Sequence, residues 1–351
     1  MALEENMALE HGHTSIQRPT GSGSPNGPGE LLFLGADDKL APVQSSHHGS
    51  SAGGSTSSYG RYGSSAPGPT LVGSAGGLQI NLIWDSSVAS TPAGFMQAAI
   101  AAAQLYTTEF SNPEVINIQV GYGEVAGQRL PSGALAASES YGYSENYSQV
   151  VAALRQDASS STWQATADAS LPSTDPTQGG RFFVSTAEAK ALGQVNAYGT
   201  SIDGYIGLSS QYPMNYTQSA ISGSQFDAVG ALEHEITEVM GRIGSEGSLL
   251  GSNVYTPLDL FRYSGPGMRD LTPGPGYFSV DGGNTNLGAY NNPKNGGDAS
   301  DWTPSLVGDS YGDGYPGVVA AVSPTDLIED SVLGYRMTPL SVGQTQTSGL
   351  A

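Results

Sequence analysis

The chain has 351 residues, enough for one large domain or two modest ones, and carries a formal net charge of −20 because Lys and Arg together number only 12. That charge repels phosphate backbones and argues against nucleic-acid binding. The absence of cysteine removes disulfides, thiolate nucleophiles and Cys-ligated zinc, so any metal must sit on imidazole, carboxylate or carbonyl oxygen. The 49 glycines and 21 prolines dilute a hydrophobic fraction of 38% and predict a loop-rich fold.

Residues 1–76 are dominated by Gly, Ser, Pro and His and lack apolar periodicity beyond Leu31 to Leu34, which predicts a disordered leader. Met1 to Thr20 holds acids and histidines where an export signal has basic and then apolar residues. The low-charge, Gly/Ser/Thr/Asn-rich composition nevertheless predicts a secreted or cell-surface protein. The longest apolar run, Ala98 to Leu105, falls short of the roughly 20 residues a membrane span needs.

Order is expected from Gly77, in a domain covering 77–338 and followed by a flexible tail at 339–351. Leu78 to Trp84 alternates as a half-buried strand does, Thr91-Pro92 opens a helix reaching about Phe110, and Val115 to Val120 is a second strand. Shorter helices are expected at Tyr147 to Arg155 and Thr186 to Leu192. Ile202 to Leu208 reads as a third strand, an edge on which a bound substrate could pair. Phe226 to Ile243 is the strongest helix, with Val229, Leu232, Ile236, Val239, Met240 and Ile243 on one stripe and Gly244 as a stop. Past an irregular stretch rich in Gly, Asp and Asn, Ser323-Pro324 begins a last helix that ends at Leu333-Gly334. This order predicts an α+β domain with a small mixed twisted sheet, two or three main helices and a loop-rich C-terminal subdomain.

On the strongest helix His234 and Glu238 lie one turn apart, opposite the apolar stripe, so both can grip one ion while Glu235 acts on a water beside it. The rival reading is a solvated polar face, which any amphipathic helix possesses. The acidic turns Asp281 to Asn284, Asp298 to Asp301 and Asp309 to Asp313 suggest Ca2+ loops, with ordinary Asx turns as the default.

Ala231-Leu-Glu-His-Glu-Ile-Thr-Glu-Val-Met-Gly-Arg242 resembles the zinc helix of metzincin-type metallopeptidases, in which a glycine, here Gly241, follows the second ligand by three residues. The chain is also similar to a group of bacterial metallopeptidase-like proteins with a His-Glu-Ile-x-Glu-Val-Met-Gly-Arg helix and a downstream Asp-Leu-Phe-Arg-Tyr segment, matched at Asp259 to Tyr263. The likeness covers about residues 78 to 337 and implies a metzincin-like fold and a Zn2+ endopeptidase acting on protein or peptide substrates. His234 and Glu238 are then metal ligands and Glu235 the general base. Two departures stand out, because Glu238 and Gly244 occupy the places of the second and third histidines of a metzincin, and His234 is the one histidine of the region. Asp259, in an apolar setting, is the choice for third ligand, with an ion pair to Arg262 as the rival reading. Tyr263 is assigned to the oxyanion and Met268 to a methionine turn beneath the metal. Two carboxylate ligands make the ion a poorer Lewis acid and open the way to another divalent ion such as manganese. The alternatives are a catalytically inactive relative serving as a binding or cell-surface module, and an adhesin suggested by composition alone.

Overall fold

A computed structural model of the chain describes residues 30–35, 39–42, 66–157, 161–295 and 297–339. Nine strands form one mixed sheet: β1 (Glu30–Gly35), β2 (Lys39–Pro42), β3 (Thr70–Gly73), β4 (Gln79–Trp84), β5 (Val115–Tyr122), β6 (Ala136–Asn146), β7 (Arg181–Ser185), β8 (Gly204–Leu208) and β9 (Val254–Tyr255). Their order is β9-β7-β6-β8-β5-β4-β3, with β1 pairing both β2 and β6. Parallel pairs (β4 with β5, β5 with β8, β7 with β9) share the sheet with antiparallel ones, which makes the architecture mixed α+β. The helices among the described residues are α1 (Phe95–Glu109), α2 (Tyr147–Asp157), α3 (Thr162–Ser170), α4 (Thr186–Ala191), α5 (Ala228–Met240) and α6 (Pro324–Val332).

The sheet is larger than its sequence suggests. Its longest strand, β6, puts Ser138, Ser140 and Gly142 where an apolar pattern would advertise a strand, so hydrophobic alternation does not reveal it. Strands β1 and β2 lie inside the stretch read as leader, while 1–29, 43–65 and the tail at 340–351 fall outside the described residues. Strand β8 is not an edge: Gly204 pairs with Ile118 of β5 on one side and Ser140 of β6 on the other.

Helix α5 is central. It packs on β6, β8 and α1, and all its residues are buried, so it has no solvated face. Leu232, Ile236, Val239 and Met240 join the main core. The approach to the sheet is close, since a Cβ at Gly204 would come within 2.7 Å of the Val239 side chain. Asp227 caps the first turn by accepting from the Val229 amide at 3.0 Å. Gly241 ends the helix with φ of 117°, and its Cβ would meet the Glu188 carboxylate at 2.9 Å. Gly241→Ala is therefore expected to lower stability by about 1–3 kcal/mol through backbone strain and the clash together, as measured by urea unfolding.

Helix α6 begins in a capping box, Ser323 with Asp326, and turns three carboxyls inward. Asp326 accepts from Trp302 Nε1 at 2.6 Å, Glu329 from the Tyr290 hydroxyl at 2.5 Å and Asp330 from the Tyr311 hydroxyl at 2.5 Å. Burial pushes the Asp330 carboxyl up to about 7, more than its bond from Tyr311 and the charge of Arg242 lower it. A folded-state value above that of an unfolded aspartate means that this group's contribution to stability is complete in acid and is lost as pH rises through 7. Asp330→Asn, which keeps an acceptor for Tyr311, should flatten the decline in unfolding free energy between about pH 4 and pH 7. An unchanged pH slope in the variant would assign the decline to other groups.

Candidate metal centre

The sequence of α5 sets His234 and Glu238 one turn apart, and the structure places a third group against them. His234 Nε2 lies 3.3 Å from Glu238 Oε1 and 3.3 Å from Asp301 Oδ1. Two sets of potential ligands meet here, His234 with Glu235 and Glu238, and Glu238 with Asp298 and Asp301, each offering atoms within 4.8 Å of one another. Glu238 belongs to both sets. All of these residues are buried except Asp298, which is half-buried.

The imidazole is oriented by its other nitrogen. Nδ1 is 2.8 Å from the Ser310 carbonyl oxygen, an acceptor only, so Nδ1 carries the hydrogen and Nε2 is the nitrogen turned to the carboxylates. The Ser310 hydroxyl in turn donates to Glu233 at 2.7 Å, tying its loop to α5. Glu238 Oε2 accepts from Ser138 of β6 at 2.7 Å, which accounts for a serine inside the sheet's buried face. Arg242 completes the cluster: its guanidinium is 3.6 Å from Glu238 Oε1 and 3.4 Å from Asp301 Oδ1.

The electrostatics favour a cation at Nε2. Burial and the charge of Arg242 oppose protonation of His234, but Asp301 and Glu238 outweigh them and hold the imidazole well above its usual range. Burial works against ionised Asp301 as well, and the neighbouring His234 and Arg242 charges hold that carboxyl below the usual carboxylate range.

Asp259 is elsewhere. In the 3-10 turn Leu258–Phe261 it accepts from the amides of Thr256 at 2.8 Å, Glu246 at 3.1 Å and Ser245 at 3.2 Å. A buried carboxylate in an apolar setting is here satisfied by backbone N–H groups, which fold the turn after α5, and it belongs to neither ligand set. Arg262 pairs instead with Glu246 at 2.8 Å and Asp270 at 3.1 Å. Asp259→Ala should destabilise the fold by roughly 2–4 kcal/mol through three orphaned amides while leaving metal binding intact. Loss of metal from that variant, with the fold retained, would return Asp259 to the ligand set.

Tyr263 is buried in a small four-stranded sheet, its hydroxyl 3.4 Å from Ser170 and its ring under Arg269. Met268 is 62% exposed at a hairpin and cannot floor a buried imidazole. Of the acidic turns, Asp281 to Asn284 is closed by Asp281 itself, which accepts from the Ser279 hydroxyl at 2.8 Å and from the Thr285 amide at 2.8 Å. The other two supply Asp298, Asp301 and Ser310 to the His234 cluster, so the acidic spacing was a signal, though one that reads as calcium before the chain is folded.

Two clefts open along α5. One, narrow, is lined by Asp227, Gly230, His234, Ser310 and Asp313 among others. The second, wider, is lined by Ser138, Glu139, Glu238, Ile243, Asp298 and Leu34 of β1 among others. No helix among the described residues is long and apolar enough to cross a membrane. In comparisons with known proteins the chain matches no family model, no curated protein and no solved structure.

Proposed function

We propose that the chain is a divalent-metal-dependent peptidase of metzincin-like type, in which His234, Glu238 and Asp301 hold the ion and Glu235 is the general base. The observation that carries this reading is the meeting of one imidazole nitrogen with two carboxylate oxygens, each at 3.3 Å. Ligand atoms about 2.0–2.2 Å from a tetrahedral zinc ion stand about 3.3–3.6 Å from one another, and the two separations from His234 Nε2 fall in that range. An ion held by His234, Glu238 and Asp301 would supply Lewis acidity to the peptide carbonyl and acidity to the attacking water. Glu235 takes the proton from that water and passes it to the leaving amine. Ser310 and Ser138 hold His234 and Glu238 in orientation. Zinc is the expected ion, and a donor set with two carboxylates also suits manganese. The cleft lined by Ser138, Glu238 and Asp298 is the roomier of the two and is the place proposed for a substrate segment.

A second reading is a metal-free, catalytically inactive binding module, favoured by Arg242, a cation already set against both carboxylates. Elemental analysis of the purified full chain separates the two. The peptidase reading expects about one zinc or manganese per chain, lost in His234→Ala and Asp301→Ala and kept in Asp259→Ala. A folded wild type without metal, or the same content in all four proteins, would favour the module.

A further inference from the structure

Arg242 is more than a neighbour of the ligands. Its side chain is fully buried, and it is held from several sides. Nε donates to Thr237 Oγ1 at 2.9 Å, and one terminal nitrogen donates to the Ser300 carbonyl at 3.1 Å. The guanidinium carbon stands 4.5 Å from the centre of the Tyr311 ring, whose hydroxyl donates to Asp330 at 2.5 Å. A cation so fixed does not swing away when a second cation arrives. The two carboxylate oxygens that face His234 Nε2 are also those nearest Arg242.

We infer that Arg242 is a positioning and charge-tuning residue: it shares Glu238 and Asp301 with the bound ion, draws off part of their negative charge, and so keeps the ion electrophilic while weakening its affinity. The inference rests on the metal reading above. Two carboxylates alone would cancel the charge of a divalent ion and blunt it as a Lewis acid. Arg242 leaves the centre one unit more positive than it would otherwise be. Beside the imidazole of His234 it is the second basic group facing those two buried carboxylates.

The test compares full-length wild type, Arg242→Gln and Arg242→Lys, with zinc affinity read by competition against a chromophoric chelator and hydrolysis read on a fluorogenic peptide. Removing a fixed positive charge next to both ligands should tighten zinc binding in Arg242→Gln by at least about tenfold while kcat falls. Arg242→Lys keeps a charge but loses the planar fork that Thr237, Ser300 and Tyr311 hold, and should lie between wild type and Arg242→Gln in zinc affinity. Equal or weaker zinc binding in a folded Arg242→Gln would overturn the inference. Should that variant not fold, zinc binding in Arg242→Lys weaker than in wild type would overturn it instead. Failure of the metal reading itself is recognised separately, because wild type would then bind no zinc before any variant is compared.

Discussion

Glu235→Gln is expected to bind its divalent ion as tightly as wild type and to lose peptide hydrolysis by about 10²–10⁴-fold, the usual size of a general-base contribution. The substitution conserves shape, which matters because residue 235 is wholly buried in a helix without a solvated face. A change in fold is therefore not the expected cause of any loss. Glu235 lies with His234 and Glu238 in one ligand set, close enough to act on a water held there. The loss should fall on kcat, since a general base at this position would act on a proton in flight and not on the resting substrate. Retained hydrolysis by the variant would remove Glu235 from its role, and loss of metal together with activity would recast it as a ligand.

The second large effect is expected at Asp301. Asp301→Ala should abolish high-affinity metal binding and destabilise the fold by about 3–5 kcal/mol, the cost of removing one partner from a buried ion cluster. Asp301 is fully buried and serves two cations, His234 at 3.3 Å and Arg242 at 3.4 Å. Its loss leaves Glu238 alone between them and shifts the His234 imidazole towards its neutral form. Chemical denaturation with and without zinc separates the two contributions: the wild type should gain stability from zinc and the variant should not. A variant as stable as wild type would show that the cluster is not the tightly coupled unit its distances imply.

The fold was legible where apolar periodicity was strong. The stripe of Leu232, Ile236, Val239 and Met240 located α5, and Ser323-Pro324 located the start of α6 with its capping box. Strand β6 was not legible, because the side chains it turns inward include Ser138, whose partner is the carboxylate of Glu238 and not a hydrophobic core. At the centre, spacing alone paired His234 with Glu238. It could not find Asp301, which reaches His234 through a long irregular segment whose path depends on tertiary contacts such as Arg242 with the Ser300 carbonyl. Asp259 drew attention because a carboxylate among apolar residues is costly, but the same cost is met by the amides of Ser245, Glu246 and Thr256. The sequence shows that such a carboxylate needs partners and does not show whether they are metal or backbone.

Zinc-edge anomalous diffraction from crystals of the full chain grown with zinc tests the central claim most directly. An anomalous peak within about 2.2 Å of His234 Nε2 and of carboxylate oxygens from Glu238 and Asp301 is the expected result. An empty map at that position, with His234 still hydrogen-bonded between the two carboxylates and Arg242 alongside, would show a self-contained ion cluster and contradict a metal-dependent peptidase.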